Sequence, residues 1–353
     1  MRTFRRASVV TVSAMVGALG VAGSPASAAA HQTLTVGPGQ SIQAAVNRAH
    51  SGDTIRVRAG TYHQNVTITK SGITLQGSGA SSSGTVLLPP TNKHPFCGIC
   101  VFGDVNFRTG QVKSYVYNVR IRGFMINNFS AFGVVTFGAS GTVMEHNSAN
   151  GNGEYGLTSF NSIGSTFAWN TATGSDEAGI YVGDSPHANA TVSYNNVSGN
   201  ALGVFVRHAH YVHITANKAN DNCQGILVLD DGERGGAGDA TIRYNDVERN
   251  NKVCPPGDEA PPLSGGGILL LGATHTVVAQ NMVKDNRGHD LNSGGIVLLS
   301  AAPFGGANVH DANIRNNTAY GNAPADIRWD GRGLRNIFVD NRCGHSDPAR
   351  ICS

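Results

Sequence analysis

The sequence predicts an all-β chain folded as a single-stranded right-handed parallel β-helix, a solenoid with a short N-terminal capping helix. Three observations predict it. Asparagine recurs at Asn147, Asn170, Asn195, Asn217, Asn245, Asn281, Asn317 and Asn341, about 23 residues apart wherever no insertion intervenes. Each is preceded three places earlier by an apolar residue, from Met144, Phe167 and Val192 to Phe338, and followed two places later by a small or apolar one, from Ala149 to Cys343. Upstream in each repeat a glycine opens a strand with alternating apolar residues: Gly133, Gly156, Gly179, Gly203, Gly225, Gly267 and Gly295. A unit of this length cannot bury its own apolar face, so its copies must stack.

Taken in chain order, residues 1–28 read as a secretory signal peptide. Arg2, Arg5 and Arg6 precede an apolar run from Ala7 to Gly23, and Ala26-Ser27-Ala28 supplies an A-x-A cleavage pattern. The leader carries three of the 26 Lys and Arg residues and none of the 23 acids, so the mature chain is near neutral. That balance argues against nucleic-acid and anionic-membrane partners. No later apolar run reaches the roughly 18 residues of a membrane span. Residues 29–353 read as one repeat domain despite a length that often makes two.

A capping helix is expected over about residues 41–50, with Ser41 as N-cap and Ile42, Ala45, Val46 and Ala49 at helical spacing. Regular coils are expected over about residues 119–343, stacked at the ~4.8 Å strand spacing. In each, the residues flanking the alternation, such as Ile180 and Val182, should point inward. Val135, Thr158, Tyr181, Phe205, Leu227, Leu269 and Val297 should point outward. A bare stripe this apolar is unusual, so a covering insertion is expected. Insertions break the rhythm at 230–239, 252–264 and 301–311. The asparagines should hydrogen-bond along the stack, a second column from Asn152 and Ser175 to Asn322 should shadow them, and the glycines should supply left-handed corners.

All six cysteines follow the leader. Cys97 with Cys100, Cys223 with Cys254, and Cys343 with Cys352 are the favoured disulfides by sequence neighbourhood, with a zinc site from the same thiols as the alternative.

Ser41 to Ala49, followed by Gly52-Asp53-Thr54-Ile55 and Gly60-Thr61-Tyr62, resembles the opening of pectin-lyase-like β-helix proteins. The Asn and Gly columns resemble the repeats shared by that superfamily, by sugar-hydrolase-associated solenoids and by the β-helix proteins of nitrous oxide reductase maturation. The resemblance covers about residues 33–343 and implies the fold. The superfamily includes lyases, hydrolases, esterases, epimerases and members with no known catalysis, so activity has to be argued from the site.

The outward stripe turns polar around Tyr181 and Arg207. Asp184, His208 and Asp230 each stand five residues after their glycines and so share a column, with His187, His210 and Asp231 close in sequence. Asp184 and Asp230 are two coils apart, about 9–10 Å, at the upper edge of the ~6.5–9.5 Å carboxyl separation of inverting glycosidases. Tyr181 to His187 also resembles the Tyr-x-x-Asp-Pro-His motif of alginate C5-epimerases, although Ser185 separates Asp184 from Pro186 and Gly183 replaces an aromatic residue. That resemblance implies Tyr181 and His187 as acid and base, with Asp184 helping to neutralise a uronate. The expected catalytic set is therefore Tyr181, Asp184, His187, Arg207, His208 and Asp230, with Phe205, His210 and Asp231 binding substrate.

No metal or cofactor is assigned. The acidic turn Asp230-Asp231-Gly232-Glu233-Arg234 admits calcium, whereas His208, His210 and His213 form no aligned ligand set. The expected function is that of a secreted, extracellular protein acting on polysaccharide, by uronan lyase or epimerase chemistry or by hydrolysis between paired carboxylates. The alternatives are a non-catalytic glycan- or protein-binding solenoid and a metal-handling factor. The apolar outer face also permits a homo-oligomer.

Overall fold

The computed structural model describes residues 31–256 and 262–352, so the expected signal peptide at 1–28 lies outside the described residues. Three long parallel sheets of 12, 11 and 11 strands wind as a right-handed parallel β-helix. After the first coil, which gives a strand to the first sheet alone, each coil contributes one strand to each sheet. In one coil these are Thr191–Ser193, Asn196–Ser198 and Leu202–Ala209. The helix Ile42–Arg48 covers the first coils, with the Ser41 side chain accepting from the Ala44 N–H and Ile42, Ala45 and Val46 buried. No helix among the described residues is long and apolar enough to cross a membrane.

Strand alternation sorts the third sheet as expected. Leu157, Ile180, Val204, Ile226, Ile268 and Ile296 are fully buried in the solenoid's interior. Val135, Tyr181, Phe205, Leu227, Leu269 and Val297 point the other way and join a second apolar cluster on the outer face of the same sheet. That outer stripe is not bare, because Leu263 of the 252–264 insertion and Phe102 near the first coils pack against it.

The first asparagine column turns the chain from the first sheet into the second. Asn195 shows the pattern: its backbone N–H and its side-chain amide both donate to Asn217 Oδ1, and the amide also donates to the Phe167 carbonyl one coil back. These side chains are almost wholly buried, so each coil's corner is satisfied by the next. The residue before each ladder asparagine takes the left-handed conformation: His146, Trp169, Tyr194, Ala216, Tyr244, Gln280, Asn316 and Asp340 all have φ between 53° and 59°.

The strand-opening glycines do not have positive φ, which corrects the expectation that they form left-handed corners. They are needed for close approach. A Cβ on Gly203 would lie 2.4 Å from the Gly225 carbonyl oxygen and 3.0 Å from the Asn222 amide of the second ladder.

Cysteines pair as their sequence neighbourhood favours: Cys97–Cys100, Cys223–Cys254 and Cys343–Cys352. None is left as a thiol for zinc. Cys97–Cys100 lies within the third-sheet strand Cys97–Phe102, and the antiparallel hairpin Asp104–Asn106 with Gln111–Ser114 follows it at the third corner. Cys223–Cys254 staples the insertion between the second and third sheets. The insertions at 230–239 and 301–311 both leave from the third sheet, after strands Gln224–Leu229 and Gly294–Leu299. Insertions therefore flank both edges of one outer face.

Candidate functional site

Between those flanking insertions lies a cavity of about 1130 Å³. Its floor is the outer face of the third sheet, with Phe205, Leu227, Leu269 and Leu271. Cys254, Pro255, Pro262 and Leu263 wall one side, and Pro303 and Phe304 the other. Large apolar side chains stand exposed around it: Val253, Leu291 and Phe304. Apolar surface this concentrated beside charged groups marks a ligand groove more often than a plain surface.

Of the sequence-predicted residues, Phe205, Arg207 and Asp231 line this cavity. The cluster beside them is one continuous network. His208 is buried between two carboxylates, its Nδ1 3.0 Å from Asp184 Oδ1 and its Nε2 2.5 Å from Asp231 Oδ1. The hydrogen bond to Asp184 foremost, and then that to Asp231, hold its imidazole above the usual range against the effect of burial. The Arg207 guanidinium meets Asp231 through Nε at 2.7 Å and Nη2 at 2.6 Å. Burial would raise the Asp231 carboxyl, but His208 and Arg207 outweigh it and hold it low.

The backbone column of Asp184, His208 and Asp230 forms through Gly183↔Arg207 and Arg207↔Leu229 pairing. The side chain that reaches His208 nevertheless comes from Asp231, while Asp230 accepts the Gly232 N–H within its own turn. Tyr181 is buried within the stripe itself, stacked on Tyr155 with ring centroids 4.5 Å apart, and burial pushes its phenol up. Its ring occupies the space a side chain at Gly183 would need. His187 is exposed on the corner beside Tyr211, and His210 is held by Asp239 and the Gly235 carbonyl.

Sequence reasoning missed a second acidic group at the other end of the floor. Glu154 and Glu177 sit one coil apart, linked by the Glu177 N–H donating to the Glu154 carbonyl, and both line the cavity with Asp176. Partial desolvation and then the charge of Glu177 hold the Glu154 carboxyl above its usual range, although the residue stands exposed. Both stand two residues before a strand-opening glycine, Gly156 and Gly179. A repeated glutamate in a column otherwise occupied by residues such as Ala131, Ala201 and Cys223 was therefore visible in the sequence.

The described lining carries five acids, Glu154, Asp176, Glu177, Asp231 and Asp290, against two cations, Arg207 and Lys252. Neither cation is free: Arg207 pairs with Asp231, and Lys252 Nζ donates to the Gly199 carbonyl at 2.7 Å. The groove thus carries an excess of carboxylates, gathered on the edge of Glu154, Asp176, Glu177 and Asp290, while at the other edge Asp231 is balanced by Arg207.

The profile of the right handed beta helix region family matches residues 43–233 and 164–346. No curated protein sequence matches the chain. Among solved structures, the catalytic unit of the thermostable GH87 alpha-1,3-glucanase from Streptomyces thermodiastaticus aligns over 94% of this chain and 68% of its own, at 15% identity and TM-score 0.62. The DFA-IIIase from Arthrobacter chlorophenolicus, without its lid, aligns over 83% and 88% at 14% identity and TM-score 0.59. The mannuronan C-5 epimerase A-module from Azotobacter vinelandii aligns over 87% and 91% at 16% identity and TM-score 0.57. Likeness at this identity establishes a common fold.

Proposed function

Since the chain belongs to the right-handed β-helix family, we propose that the outer face of its third sheet is a polysaccharide-binding groove. On this reading the protein is a secreted, carbohydrate-active β-helix that hydrolyses a neutral glycan. The observation that carries this reading is the charge of the groove, five acids against two engaged cations over an apolar floor. A polyuronate would bring its own negative charge to that surface, whereas a neutral sugar chain can lay an apolar ring face on the exposed Phe304 and hydrogen-bond to the acids. The glycoside hydrolase and epimerase folds among the structural neighbours are compatible with a glycan ligand.

Hydrolysis of a glycosidic bond needs one protonated and one ionised carboxyl. Glu154, held high by its surroundings, is the candidate acid, and Glu177 the candidate base or nucleophile. Stacked one coil apart, their backbones are about 4.8 Å from each other, near the ~5–5.5 Å carboxyl separation of retaining enzymes. Arg207 and Asp231 would bind the chain at the far end of the floor, positioned by His208 and Asp184.

Lyase or epimerase chemistry at Tyr181, His187, Arg207 and His208 is the second reading, favoured by the adjacency of Arg207 and His208 beside the stripe. Against it, both His208 nitrogens are occupied by carboxylates and Arg207 is already paired. The test is a panel of neutral glucans and fructans read by reducing ends, beside alginate and pectate read by the absorbance of an unsaturated product. Release of reducing ends from a neutral glycan, abolished in Glu154→Gln, is expected. An unsaturated product from alginate or pectate would replace the hydrolase reading with the second.

A further inference from the structure

We propose that His275, His310 and Asp311 form a binding site for a borderline divalent cation such as Zn²⁺, which ties the foot of the 301–311 insertion to the coil before it. The site is separate from the sugar groove and does not depend on the hydrolase reading.

The three residues meet at the corner where the third sheet passes into the first. Bridges Gly238↔Thr274 and Thr274↔His310 stack successive coils there, and the His275 N–H donates to the His310 carbonyl at 3.0 Å. His275 and Asp311 occupy the left-handed position of this corner, with φ of 50° and 58°. In earlier coils the same position is filled by Asn118, Gly141, Gly164, Asn189, Tyr211 and Asp239. The corner therefore does not require a histidine or a second one stacked beside it.

One ligand atom from each residue lies within 4.8 Å of the others. His310 Nδ1 is 2.7 Å from Asp311 Oδ2, and His275 Nε2 is 3.5 Å from the same oxygen. Donors bound to one tetrahedral ion at ~2.0–2.1 Å stand about 3.3 Å apart, so the pair of distances brackets that edge and a small opening of the His310 contact would admit the ion. Arg335 donates to both Asp311 oxygens and orients the carboxylate as an outer-sphere partner. Two imidazoles with one carboxylate suit zinc, cobalt or nickel, whereas calcium prefers an all-oxygen set. His275 is exposed and the other two are half-buried, which leaves an entry path.

The position gives the ion a consequence. The 301–311 insertion carries Pro303 and Phe304 into the groove wall, and it packs on the 230–239 turn so closely that a Cβ on Gly232 would lie 2.1 Å from the Gly305 carbonyl oxygen. An ion at His275, His310 and Asp311 would fix the end of this wall.

Tag-free mature protein titrated with Co²⁺ tests the proposal through the visible ligand-field absorption of the bound ion. A saturable signal of one equivalent, displaced by Zn²⁺, is expected. His275→Gln and His310→Ala should each weaken binding by at least about tenfold, with unchanged circular dichroism, while His213→Ala on the first sheet leaves it unaltered. Absence of saturable absorption, or its survival in the His275→Gln/His310→Ala double variant, would overturn the site.

Discussion

The asparagine ladder and the His208 cluster are both polar networks at corners of one solenoid, yet they are built on opposite principles. In the ladder every member has the same partners, one coil forward and one coil back, as Asn195, Asn217 and Asn245 show. In the cluster the pattern does not repeat: Asp184, His208, Asp231 and Arg207 come from three coils, and the last link is supplied by an insertion. Repetition satisfies backbone groups and leaves nothing over for a ligand. Departure from it produces charges of both signs beside a cavity. The difference teaches where to look in a β-helix for chemistry, namely at the coils whose turns have stopped copying their neighbours.

The contrast can be broken most severely in the middle of the ladder. Asn217→Ala removes the acceptor of the Asn195 N–H and amide and the donor to the Val192 carbonyl. With three buried groups left short of partners at about 1–3 kcal/mol each, a loss of about 3–9 kcal/mol is expected in urea unfolding. A loss below 1 kcal/mol would show that the ladder is decoration on an otherwise self-sufficient stack. At the groove the effect should instead fall on turnover: Glu177→Gln is expected to lower glycan hydrolysis by about 100-fold or more, with the unfolding midpoint little changed.

His208 tests whether the cluster behaves as an ionic unit. Its raised imidazole stabilises the fold fully below the unfolded value of about 6.5 and loses that contribution as pH rises through the folded value. Asp231, held low, contributes fully above about 3.9 and loses its contribution as pH falls. The stability difference between wild type and His208→Gln should therefore be greatest between about pH 4 and 6.5 and shrink on either side. A pH-independent difference would reduce the cluster to packing.

The smallest effect repairs a flaw in the repeat. Ser175 stands where the second ladder otherwise has asparagine, and its buried hydroxyl lacks a hydrogen-bond partner. Ser175→Asn should complete the column between Asn152 and Asn200 and raise stability by about 1 kcal/mol, measured by the same urea titration.

Much of the scaffold was legible because a parallel stack makes sequence period and spatial column the same thing. The capping helix, the ladder from Asn147 to Asn341, the inward and outward strand faces and the disulfides all follow from residues that repeat or lie close in sequence. The glycine column was legible as a column but not in its cause, since only atomic contacts reveal that Gly203 makes room for Asn222 and the Gly225 carbonyl. In the candidate site, Phe205, Arg207 and Asp231 were found because the stripe changes character there. Glu154 and Glu177 were overlooked because they lie before the strand, outside the stripe being followed.

What the sequence by itself determined was thus the coil, its register and its ends, because each side chain's environment is dictated by its copy one coil away. What only the tertiary structure decided was which irregular side chains meet. His208 takes Asp231 and not Asp230, the 252–264 and 301–311 insertions wall opposite sides of one floor, and His275 meets His310 across a corner. Insertions of unequal length obey no period. Their folding back, set by glycine contacts, a disulfide and ion pairs far apart in the chain, assigns those partners.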